Sequence, residues 1–143
     1  MRQYSSPRVT EILTWPDEGG SVYYQARRFD GFDYRSTLTK ASLGNTIALS
    51  RLFEYTKNGS QMGEGAETHI EVLGELLKQW GDADYAVVLH AQPAEVITSV
   101  AGSLNEFWGY PGWPKGRFPE TEKLCNRTPP AEQASGGNGG QSR

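Results

Sequence analysis

The chain has 143 residues, 36% hydrophobic and 22% charged, enough for one domain with a real core and too few for two comfortable ones. No apolar run nears the length of a membrane span, and Ser5, Ser6, Pro7 and Arg8 break the N-terminus where a signal peptide needs an apolar centre. The net charge of −3 is uneven: after Trp108 five Lys and Arg face three Glu, which gives +2 there and leaves −5 for residues 1–108. A body so acidic is not expected to follow a phosphate backbone, so nucleic-acid binding is disfavoured. Cys125 is the only cysteine, which rules out an internal disulfide and suits a reducing cytoplasm.

In chain order, "VTEILTW" (9–15) and "SVYYQARR" (21–28) are rich in β-branched and aromatic residues, and "PDEGG" between them supplies turn residues. Asp30-Gly31 is a favoured pair for a two-residue hairpin loop. That register would set Phe29 opposite Phe32, Arg28 opposite Asp33 and Tyr23 opposite Leu38. The expectation is a small N-terminal antiparallel sheet of about three strands.

Past Lys40 the period becomes helical. "ASLGNTIALSRLFEY" carries Leu43, Ile47, Leu49, Leu52 and Phe53, and after a glycine-rich loop "AETHIEVLGELLKQW" places Ile70, Leu73, Leu77 and Trp80 on one face. Glu67, Glu71, Glu75 and Lys78 then fall on the solvated side. "GDADYAVVLH" reads as a short helix, with a buried strand as its alternative; Asp82 as N-cap and Asp84 in the first turn favour the helix. Pro93 opens a last helix with an apolar stripe through Val96, Ile97, Val100, Ala101, Leu104, Phe107 and Trp108. The whole reads as one α+β domain over 1–108, with the sheet packed on about four helices. Residues 109–143 read as a Pro/Gly-rich flexible tail, disordered from about Lys123. Tyr110, Trp113 and Phe118 are unusual in a linker, and either fold back on the last helix or dock on a partner.

The sequence carries no catalytic pattern. His69 sits on an amphipathic helix without metal-ligand spacing and reads as solvated, and His90 reads as a helix-end histidine held by backbone carbonyls. Cys125 has no histidine neighbour, and neither a nucleophile elbow nor a P-loop is present. Arg27, Arg28 and Arg35 around Asp30-Gly31 read as turn-flanking charges rather than a phosphate grip. No catalytic, cofactor or metal site is expected.

The order of elements from about 21 to 108 resembles the tail assembly chaperone family of long-tailed bacteriophages. The matching residues are Phe29, Gly31 and Tyr34 (Phe32 and Tyr34 if the register is offset), followed by the amphipathic helices. That resemblance implies a non-catalytic protein without cofactor. It would bind the tape measure protein in the host bacterial cytoplasm and keep it soluble until the tail tube polymerises. It also implies two product lengths made by frameshifting near the C-terminus. The segment 1–20 lies outside the match.

Holding a helical client requires an exposed apolar surface. The last helix is wider in its apolar stripe than one-sided packing needs and runs into "GYPGW". Ile97, Phe107, Trp108, Tyr110 and Trp113 are therefore the expected partner-binding residues, with a tape measure protein or other tail component as partner and neither nucleic acid nor membrane. The alternative is a small acidic phage-encoded inhibitor or adaptor binding a host protein. Its acids would be Glu54, Glu64, Glu67, Glu71, Glu75, Asp82 and Asp84, which are spread more thinly than DNA mimicry would need.

Overall fold

Ser6, Ser21, Asp33 and Asn45 each accept a hydrogen bond on the side-chain oxygen from the backbone N–H three residues on, at 3.3, 3.1, 3.1 and 2.8 Å. Such caps satisfy N–H groups that the first turn of a helix leaves unpaired. In the computed structural model, which describes residues 6–126, they open α1 (Pro7–Ile12), α2 (Val22–Asp30), α3 (Tyr34–Ser42) and α4 (Thr46–Asn58). Then come α5 (Gly63–Trp80), α6 (Asp82–His90), α7 (Ala94–Trp108) and α8 (Pro119–Asn126).

The α+β expectation is overturned: among the described residues the structure is all-helical, with no strand. The two expected hairpins are α1, α2 and α3. The physical reason lies in the ends. Pro7 follows the Ser6 cap as the first helical residue, where its missing N–H costs nothing. Asp30-Gly31 is a helix stop, not a hairpin loop: Gly31 is left-handed (φ 61°), with its N–H on Arg27 O and the Phe32 N–H on Ala26 O. Tyr34, Thr37, Leu38 and Ala41 all point inward at steps of three, one and three, a helical face. The expected cross-strand pairs do not form. Phe29 is exposed, Phe32 stacks on Tyr55 at 4.4 Å, and Asp33 caps α3.

α5 is the hub, packed against α1, α2, α3, α6 and α7. Val72, Leu73, Leu76, Leu77 and Trp80 are buried along it, and Gly74 lets the Phe107 ring lie against its backbone. Glu71 and Glu75, expected in solvent, are partly covered by α1: Arg8 clamps Glu71, and Ser6 Oγ donates to Glu75 Oε1 at 2.9 Å.

Of the stretch read as a flexible tail, Trp113 and the segment from Phe118 to Asn126 pack on the body; residues 127–143 lie outside the described ones. Phe118, Thr121 and Cys125 are buried, and α8 lies on α6 and α7. Asp82 secures it. Its two carboxylate oxygens accept from the N–H groups of Glu120 (2.9 Å) and Thr121 (2.8 Å), so Asp82 caps α8 while Gly81 stands at the N-cap of its own helix.

Candidate protein-binding face

The chemistry of "DADYAVVLH" is apolar nearly all the way round, which suits a helix covered on every side. In α6 only part of that cover exists. Tyr85, Ala86, Val88 and Leu89 are buried, yet Val87 is 70% exposed. α8, held by Asp82, stands on one flank and α4 on the other. Between α6 and α8 lies a groove of about 540 Å³, floored by Ala83, Ala86, Val87 and Leu124 with Glu120 and Lys123 among its lining. Between α6 and α4 lies another, of about 630 Å³, lined by Ile47, Arg51, Glu54, Val87, Val88 and Ala91 among others. Both are open, mainly apolar, and flanked by opposite charges, as a docking site for an amphipathic helix would be.

The residues expected to bind a partner are distributed otherwise. Phe107, Trp108 and Trp113 do come together, with Phe118: Trp108 is 4.9 Å from Phe107, 6.1 Å from Trp113 and 5.6 Å from Phe118, ring centre to ring centre. All three are half-buried, and Trp113 Nε1 donates to Asn105 Oδ1 at 2.6 Å. Tyr110 stands fully exposed beside them. Ile97 is not part of the group. It is buried in the core, ten residues and so about 15 Å of helix before Phe107. The aromatic end thus spends most of its surface tying α7 to the segment that leads into α8. Sequence reasoning missed the α6 grooves because their walls come from three helices remote in sequence; the signal it had was the missing polar face of α6.

Several titratable groups are bound into the scaffold. His69, read as solvated, is only 4% exposed: Nδ1 meets Tyr34 Oη at 2.6 Å and Nε2 meets Thr56 Oγ1 at 2.7 Å. Burial lowers its pKa to about 4. Its position is legible in hindsight, three, four and seven residues before the buried Val72, Leu73 and Leu76. Burial also pushes the Cys125 thiol up to about 12, which makes it inert. Two of the arginines around Asp30-Gly31 are used internally: Arg27 pairs with Asp17 at 3.1 Å, and Arg35 donates to the carbonyls of Leu13 and Trp15 and lies over the Tyr23 ring, while Arg28 is exposed. Asp30 feels burial, which would raise its pKa, but hydrogen bonds from Tyr55 and Ser60 outweigh it and hold the carboxyl low.

Among the described residues no group of three or more His, Cys, Asp or Glu is placed to hold a metal ion, and no helix is long and apolar enough to cross a membrane. In comparisons with known proteins, no family model, curated protein or solved structure matches the chain.

Proposed function

We infer that this chain is a non-catalytic holding protein that seats an apolar helical segment of a client in the α6–α8 groove. Its client on this reading is the tape measure protein of a long-tailed phage, kept soluble in the bacterial host cytoplasm during tail assembly. The observation that carries the reading is the groove itself, with Val87 exposed on its edge and Glu120 and Lys123 able to meet polar residues of a bound helix. The client face is placed here rather than at the aromatic end because Phe107, Trp108 and Trp113 are largely engaged with one another and with Phe118.

The acidic-inhibitor alternative has less support. Three of its acids have internal duties: Glu71 holds Arg8, Glu75 holds Ser6 and Lys78, and Asp82 caps α8. A surface mimicking a polyanion needs its charges free.

The test is co-expression with a tape measure protein, comparing the wild-type chain with Ala83→Glu. Ala83 is exposed in the first turn of α6, where an acid suits the helix dipole, so the variant should fold normally. Wild type is expected to keep the client in the soluble fraction, and Ala83→Glu to lose it at an unchanged melting temperature. A client held equally well by the variant would move the site elsewhere, and a client not held by wild type would end the chaperone reading.

A further inference from the structure

The second groove, between α4 and α6, has a property the client groove does not share: its α4 wall is its own complement. Two of the six large apolar side chains most exposed among the described residues line it, Ile47 at 66% and Val87 at 70%. Beside them on the outer face of α4 stand Arg51 and Glu54, both exposed and neither engaged in an ion pair or side-chain hydrogen bond among the described residues. The groove they line is about 630 Å³ and continues to Val88 on α6 and Ala91 just past its end.

A contact across a two-fold axis requires one surface to match itself, so each charge must find its opposite at the mirrored position. α4 runs from Thr46 to Asn58, and the point midway between Arg51 and Glu54 falls within half a residue of its centre. Two antiparallel copies of α4 crossed at that point would overlap along nearly their full length, with Arg51 opposite Glu54 at both ends of the pair. The same crossing covers the outer face of α4 in each copy, Ile47 included, so that apolar surface leaves water. A foreign partner would need no such symmetry; a second copy does.

We propose that two copies of this chain associate through the α4 face, about a two-fold axis through the middle of α4, with Arg51 of each copy paired to Glu54 of the other. The client groove lies on the opposite flank of α6, so the dimer would present two such grooves.

Sedimentation of the full chain at micromolar concentration tests this. Wild type should sediment as a dimer. Arg51→Glu and Glu54→Arg should each set like charges face to face twice and weaken association at least about tenfold. Mixed in equal amounts, the two single variants should recover a dimer, since every Glu then meets an Arg; the double swap, Arg51→Glu with Glu54→Arg, should dimerise alone. Both positions are exposed, so melting temperatures should hold, and the double swap guards against a variant that fails to fold. A monomeric wild type, single variants that dimerise as well as wild type, or a mixture that stays monomeric would each overturn the proposal.

Discussion

His69 shows how one buried side chain sets a pH limit on the whole fold. Thr56 Oγ1 lies 2.9 Å from Leu52 O, to which it donates its single hydroxyl proton, so it accepts from the His69 Nε2–H; Nδ1 is then left to accept from Tyr34. Every group in that chain is satisfied only while the ring is neutral, and burial accordingly depresses its pKa from 6.5 to about 4. The unfolded chain binds the proton more tightly than the folded one, so stability should fall as pH drops from about 6.5 towards 4. The linkage amounts to about 2 kcal/mol by pH 5. Urea unfolding at pH 7 and pH 5 should show that loss in wild type and little of it in His69→Gln; a wild type equally stable at both would contradict the assignment. The carboxyls of Asp17 and Asp30, both held low, lose their contribution only below that window. Gly74 is the second telling residue. A Cβ there would sit 2.3 Å from the Phe107 ring. Gly74→Ala should therefore destabilise by about 1–3 kcal/mol despite the better helix propensity of alanine. Phe107→Ala in the same chain should cost less than the sum of the two changes, since the clash is then gone. Additive losses would mean that the ring is not seated on the glycine.

At the scale of elements, α8 depends on a cap supplied from another helix. Replacing Asp82 by Ala removes both acceptors for the Glu120 and Thr121 N–H groups and should cost about 1–2 kcal/mol. Because Cys125 lies on the buried face of α8, against α6 and α7, its reaction with a thiol reagent should speed up in Asp82→Ala; unchanged labelling would show that α8 is held by other contacts. The same element explains what the sequence could and could not disclose. α5 and α7 were legible because long stretches with apolar residues every three or four positions admit one reading. α1 to α3 were not, since Val22, Tyr23 and Tyr24 suit a strand as well as a helix and only the caps at Ser21 and Gly31 decide. Local β preference is a weak guide once tertiary packing engages, as Tyr34 and Leu38 do here. α8 hid inside a stretch rich in proline and glycine, although Phe118, Thr121 and Cys125 recur at steps of three and four. The α6–α8 groove was out of reach for the same reason: one of its walls is α8.

Taken as a whole molecule, the described chain is a helical body centred on α5, which most of its neighbours pack against, while α6 leaves Val87 exposed between two grooves. Stability and binding are thus assigned to different places. The aromatic end ties α7 to α8, so Trp108→Ala should lower the melting temperature by several degrees while each folded molecule still holds its client. An unchanged melting temperature with lost client capture would return the binding site to that end. The most direct check of the holding role is amide hydrogen exchange on the purified chain, free and in complex with a tape measure protein. Protection on binding is predicted for the exchange of α6 and α8, residues 82–90 and 119–126, with little change in α5. Protection confined to residues 107–113, or absent throughout, would contradict the account.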